Sequence, residues 1–178
     1  MTTTDALPDS LRTLDRAAIE RVLPHRGDIL CLRAVHIVAH DHFVGEACWD
    51  PSLELLQGHF PGLALVPGVL LVEAVAQLAG AGMLVADPRS RALGADGVGL
   101  LGGIRKCSFR QPVRPGEVVR IEARTRRMSE AAATVDAQLR VDARAVAQVE
   151  IMIVNTVRSA LAAALVAGHG GGPAGHAC

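Results

Sequence analysis

The sequence predicts an α+β domain in which an antiparallel sheet of about six strands packs on one long helix. Three observations predict it. Leu63 to Ala86 is almost wholly apolar, and from Gly68 onward it can form about five turns of helix. Four stretches with strand alternation follow, with no second helix between them. The chain has 178 residues, half of them hydrophobic and a fifth charged, which suits one well-buried domain rather than two.

The elements are justified in turn. Residues 1–15 read as a polar leader, with no basic stretch followed by an apolar one as in a signal peptide. Asp15 is an N-cap for a short helix, Arg16 to Leu23, which Pro24 ends. Ile29 to Ala39 is rich in Leu, Val and Ile and reads as a strand. His42 to Trp49 alternates, with Phe43, Gly45, Ala47 and Trp49 on one face, and reads as a second strand. Residues 53–66 form a connection broken by Gly58, Pro61 and Gly62. The long helix runs from about Gly68 to Ala86 and stops before Asp87-Pro88. A loop over residues 87–97 leads to strands at Val98 to Gln111, Glu117 to Met128, Ala131 to Val141 and Arg144 to Val157. In these, Val119, Ile121 and Ala123 face opposite to Arg120, Glu122 and Arg124. Ala133 to Val141 and Ala147 to Ile153 repeat the pattern of half-buried antiparallel strands. The domain thus spans residues 16–157, and residues 158–178 read as a flexible Ala/Gly-rich tail.

The apolar stretch from Leu63 also imitates a membrane span. Pro67-Gly68, Glu73 and Gln77 argue against that, because a carboxylate at mid-bilayer is costly. A helix buried at the centre of a folded domain is apolar on all sides for a different reason. The expectation is therefore no membrane span and a cytoplasmic protein.

Composition excludes other classes. Eighteen basic residues balance eighteen acidic ones, so no whole-protein field draws nucleic acid. Three Phe, one Trp and no Tyr leave no platform for stacking bases. Cys31, Cys48, Cys107 and Cys178 have wide, irregular spacings with no C-x-x-C pair, so neither a zinc site nor a disulfide framework is expected. His169, His176 and Cys178 lie among Gly spacers that fix no coordination geometry. No metal and no cofactor is called for.

Three features could carry chemistry. Glu73 lies within the apolar helix. An unpaired carboxyl group in an apolar setting favours its neutral form, and an acid that keeps its proton is a ready general acid. Gln77, at i+4, lies on the same face and could orient it. The alternative is a Glu at the mouth of the helix, hydrated or paired with an Arg. Pro67-Gly68 begins the helix, whose first N–H groups and dipole can hold an oxygen that gains negative charge. Gly68 lets another atom approach the backbone closely. His59 sits in Gly58-His59-Phe60-Pro61-Gly62, where Gly and Pro fix the backbone. A base, an acid and an oxyanion donor within sixteen residues are stronger together than any one alone.

Gln57-Gly58-His59-Phe60-Pro61-Gly62, then Val66-Pro67-Gly68-Val69-Leu70, then Glu73-Ala74-Val75-Ala76-Gln77, resembles the active-site segment of the FabZ-type (3R)-hydroxyacyl-acyl-carrier-protein dehydratases. Leu23-Pro24-His25-Arg26 resembles that family's N-terminal motif. Phe109-Arg110-Gln111-Pro112-Val113-Arg114-Pro115-Gly116-Glu117 resembles its later F-R-x-P-V-x-P-G stretch. The chain departs from the pattern at Gly27-Asp28, Arg33-Ala34 and Leu63-Ala64.

The resemblance implies a hotdog fold, a sheet wrapped around one long helix, working as a homodimer or a trimer of dimers. It implies a site built across the dimer, His from one chain and the acid from the other. His59 would take the α-proton of a 3-hydroxyacyl thioester. Glu73 would protonate the departing hydroxyl, and the Gly68 N–H would hold the thioester oxygen. Gln77, Phe60, Pro67 and Val69 would support them. The substrate would be carried on the phosphopantetheine arm of acyl carrier protein. A thioesterase or coenzyme A hydratase, and a non-catalytic acyl-binding subunit, are the alternatives; His59 counts against the first, and His59 with Glu73 against the second.

The net charge hides an asymmetry. Eight basic and two acidic residues lie between Arg105 and Arg127, against ten and sixteen elsewhere. Arg105, Lys106, Arg110 and Arg114 are the expected patch for the carrier protein.

Overall fold

The computed structural model describes residues 13–168. Its elements in order are β1 (Thr13–Asp15), α1 (Arg16–Val22), β2 (Leu32–Ala39), β3 (His42–Ala47), α2 (Glu54–Gly58), α3 (Gly68–Ala86), α4 (Pro88–Arg91), β4 (Gly97–Phe109), β5 (Val119–Arg127), β6 (Ala132–Val141), β7 (Arg144–Val157) and α5 (Arg158–Gly168). Seven strands form one antiparallel sheet in the order β1-β2-β3-β5-β6-β7-β4.

The sheet curls around α3. Alternation decides which face turns inward: Val119, Ile121 and Ala123 are buried while Arg120, Glu122 and Arg124 are exposed, as their pattern predicts. The core facing α3 is completed by Ala133, Val135, Leu139, Val149 and Ile151. From α3 it takes Leu71, Ala74, Val75, Leu78, Ala79 and Ala81. The helix is apolar all round because the sheet covers most of it; the window long and apolar enough to cross a membrane is 72% buried. Its small residues let the sheet come close. A Cβ on Gly82 would lie 2.4 Å from the ring of Phe43, which is wholly buried.

Several expected boundaries shift. β1 forms within the expected leader because Thr13, Leu14 and Asp15 pair with His36, Val35 and Ala34 of β2. The expected strand at Ile29 starts at Leu32, since Gly27–Ile29 makes a 3₁₀ turn with Gly27 in the left-handed region. The connections at 53–66 and 87–97 contain α2 and α4, the latter capped by the Asp87 carboxylate on the Ser90 N–H. Residues 158–168, expected as tail, form α5, where Asp96 accepts from both the N–H and the hydroxyl of Ser159. The expected leader residues 1–12, and His169, His176 and Cys178, lie outside the described residues.

Candidate active site

The site is organised around the N-terminal end of α3. The loop from Gly58 to Pro67 leads into it and is held at two places. Gly62 turns the chain with a φ of 82°. The Val66 N–H donates to the Val113 carbonyl at 2.8 Å, which ties the loop to the segment after β4. Phe60 adopts a φ of 60°, a left-handed conformation costly for a bulky residue. Its ring lies 4.3 Å from the imidazole of His59.

His59 Nδ1 lies 3.1 Å from the Leu65 carbonyl oxygen. A carbonyl only accepts, so Nδ1 carries the proton and the neutral ring presents Nε2 as its lone-pair nitrogen. His59 and Gly68 line one cavity of about 310 Å³ together with Phe109, Arg110, Gln111 and Pro112. The F-R-x-P-V stretch therefore supplies part of the wall of the cavity that His59 lines. Arg144 holds that wall by donating to the Pro112 carbonyl at 2.6 Å and to Glu117 at 2.8 Å. Glu117 also accepts from the Arg114 N–H, and that bond, with Arg144 beside it, holds its carboxyl below the usual carboxylate range.

Gly68 sits at the first turn of α3, where backbone N–H groups have no intrahelical acceptor. A Cβ there would fall 2.6 Å from the Phe109 ring, so a larger residue would force that ring to move. Pro67 occupies the N-cap position, and Val69 is 69% exposed.

Glu73 is not sealed in the core, and no arginine pairs with it among the described residues. Its side chain is 28% exposed and lines a second cavity of about 240 Å³, with Asp28, Cys31, Trp49, Glu54 and Leu70 among its walls. Gln77 is buried and donates to Glu73 Oε1 at 2.8 Å and to the Ile29 carbonyl at 2.7 Å. The Gln77 Oε1 accepts from the Cys31 N–H at 3.3 Å. Burial, and then the nearby Glu73, push the Cys31 thiol up to about 12. His25, of the Leu23-Pro24-His25-Arg26 motif, brings Nε2 to 3.4 Å from Glu73 Oε1.

The described residues of one chain thus bring His59 and Gly68 together and set Glu73 with Gln77 apart, in a different cavity. Of the expected basic patch, Arg110 lines the His59 cavity and reaches Gln148 at 3.5 Å. Arg105 is paired with Glu150 at 3.0 Å, which offsets its charge. No group of three or more His, Cys, Asp or Glu suited to a metal occurs among the described residues.

A single antiparallel sheet wrapped around one central helix, with polar groups gathered at that helix's N-terminal end, is the hotdog fold. The model of the FabA-like domain matches residues 23–150, and the chain belongs to that family. A 3-hydroxyacyl-[acyl-carrier-protein] dehydratase FabZ of Koribacter versatilis is 36% identical over 117 residues, 65% of this chain and 72% of that protein. The protein of the same name from Bacillus pumilus is 34% identical over 137 residues, 73% and 92% of the two. Among solved structures, the dehydratase heterocomplex ApeI:P from Xenorhabdus doucetiae superposes with a TM-score of 0.66 at 18% identity, covering 83% of this chain and 96% of that one. The fluoroacetyl-CoA thioesterase FlK superposes with a TM-score of 0.56 at 11% identity, covering 72% and 95%. Identities this low establish the fold alone.

Proposed function

We propose that the protein is a lyase that removes water from a (3R)-hydroxyacyl thioester on acyl carrier protein. The product is the trans-2-enoyl thioester, in fatty-acid or polyketide-type chain synthesis. The observation that carries the reading is the cavity shared by His59 and Gly68. It sets a histidine with a free Nε2 beside a helix N-terminus.

The chemistry follows from that pairing. His59 Nε2 takes a proton from the carbon next to the thioester carbonyl. The electron pair moves toward the carbonyl oxygen, whose growing charge the Gly68 N–H and the helix dipole stabilise. The electrons return to form the carbon–carbon double bond as the bond to the 3-hydroxyl breaks. Glu73 gives its proton to that leaving oxygen, which departs as water. Two bonds to the acyl chain break, one double bond forms, and the two residues exchange a proton to reset.

Glu73 acts on the His59 cavity of a second copy. β4 supports this dimer: it is the edge of the sheet and exposes Leu100, Leu101 and Ile104, apolar groups that a facing copy would cover. Arg110, at the rim of the His59 cavity, serves the carrier protein's acidic surface and its phosphopantetheine arm. The three described cysteines are free thiols, which suits a reducing cytoplasm.

Complementation tests the arrangement. His59→Ala and Glu73→Gln each lower turnover by orders of magnitude while leaving the melting temperature unchanged. Refolding the two variants together restores about a quarter of wild-type activity, because half the dimers are mixed and carry one complete site. No recovery on mixing would show that the two groups act within one chain.

A further inference from the structure

We propose that His25 is a positioning residue for Glu73, with its Nε2–H directed at Glu73 Oε1 so that it steadies the carboxylate left when Glu73 gives up its proton. The inference rests on the reading of Glu73 as the acid.

Geometry comes first. His25 lies in the turn between α1 and the 3₁₀ turn, and its Nε2 is 3.4 Å from Glu73 Oε1. Its own turn is fixed by Arg26, whose guanidinium donates to the Leu23 carbonyl at 2.7 Å and the His25 carbonyl at 2.6 Å. The segment beyond is fixed by Arg16, which donates to the Gly27 and Leu32 carbonyls. The imidazole is thus delivered to the carboxylate by a braced backbone.

The other ring nitrogen selects the tautomer. His25 Nδ1 is buried and has no hydrogen-bond partner among the described residues. A neutral ring with its proton on Nδ1 would bury an unpaired donor and turn the Nε2 lone pair toward the lone pairs of a carboxylate. With the proton on Nε2, the ring places its donor nitrogen 3.4 Å from Glu73 Oε1 and only an acceptor is left unpaired. A contact of 3.4 Å shortens as negative charge forms on the oxygen, as catalytic hydrogen bonds do in the reacting complex. A bond that strengthens only then lowers the barrier rather than tightening substrate binding.

The surroundings leave His25 in a distinct position. Gln77 donates to the same Oε1 from α3, so Glu73 Oε2 has no partner among the described residues. The other titratable groups around Glu73 are Asp28, Glu54 and Cys31, which share its cavity. Cys31 stays a thiol well above neutral pH. No Arg or Lys pairs with Glu73 among the described residues.

The test compares His25→Ala, His25→Gln and Glu73→Gln with wild type, using a 3-hydroxyacyl pantetheine thioester as substrate. His25→Ala lowers kcat about tenfold to hundredfold with little change in KM, the range expected for a hydrogen bond to a charged group. It also moves the basic limb of the pH profile to higher pH, because an acid whose carboxylate loses a donor keeps its proton longer. His25→Gln, which still presents an N–H, recovers most of the rate. Nitrogen-15 histidine spectra of the wild-type protein show His25 protonated at Nε2. A normal rate in His25→Ala, a lowered rate with an unmoved pH profile, or a resonance protonated at Nδ1 would overturn the proposal. If Glu73→Gln is inactive while His25→Ala is normal, only this inference fails. If wild type does not dehydrate the substrate, or Glu73→Gln remains active, the reading of the site fails and takes this one with it.

Discussion

Gln77→Leu removes one amide and breaks the joint that holds the acid, the segment before β2 and the core helix together. Gln77 is 1% exposed. Its orientation is fixed by its partners: the Cys31 N–H needs an acceptor, and the Ile29 carbonyl and Glu73 carboxylate need donors. Leucine fills similar space and supplies neither. The Cys31 N–H is then left buried without a partner, at a cost of about 1–3 kcal/mol. The bond to the Ile29 carbonyl is only partly buried, so its loss adds less, and Glu73 stays within 3.4 Å of His25 Nε2. The net loss expected is about 2 kcal/mol, and for a domain of this size that lowers Tm by about 4–8 °C. Urea unfolding read by the fluorescence of Trp49 measures it, with the slope against urea unchanged. Turnover falls as well, because Glu73 loses the amide that donates to it. A Gln77→Leu protein as stable and as active as wild type would refute the reasoning.

Three further expectations follow from the same contacts. Gly68→Ala drives a methyl group into the Phe109 ring, 2.6 Å away, and lowers activity; Phe109→Ala in the same chain recovers part of it, as measured by kcat/KM. Burial raises the Asp87 carboxyl, but the Ser90 hydroxyl, Arg127 and the Ser90 N–H outweigh it and hold the group below its usual range. The stability it lends is present above the unfolded-state value of a free carboxylate and is lost as pH falls through the lower folded value. Asp87→Asn therefore lowers Tm at pH 7, and the difference from wild type shrinks toward pH 3. Arg110→Glu with Arg114→Glu raises KM for a carrier-protein substrate more than for a pantetheine thioester, in steady-state assays of both. Equal effects would remove the carrier-protein role from these residues.

The elements legible in the sequence are those whose burial is one-sided or complete. β5, β6 and β7 alternate because one face meets α3, and α3 shows as an apolar run because the sheet surrounds it. β1 was not legible, since three residues carry no period and their strand character comes from pairing with β2. The outer part of β4 exposes apolar groups at the sheet edge, so its pattern does not separate core from surface. His59, Gly68 and Glu73 stood out through local motifs. The separation of Glu73 from His59 into two cavities did not, because it depends on the path of the loop between them. Nor did the approach of His25 to Glu73, or of Cys31 to Gln77; these residues are 48 and 46 positions apart and share no periodic signal. The position of His25 in Leu23-Pro24-His25-Arg26 was the one hint.

The central claim is dehydration of a 3-hydroxyacyl thioester by His59 and Glu73. Mass spectrometry of a (3R)-hydroxyacyl carrier-protein thioester incubated with the wild-type protein tests it most directly. The account predicts that the acyl group loses one water and stays on the carrier, and that His59→Ala abolishes the loss. Release of the free acid, or an acyl group left unchanged, would contradict it.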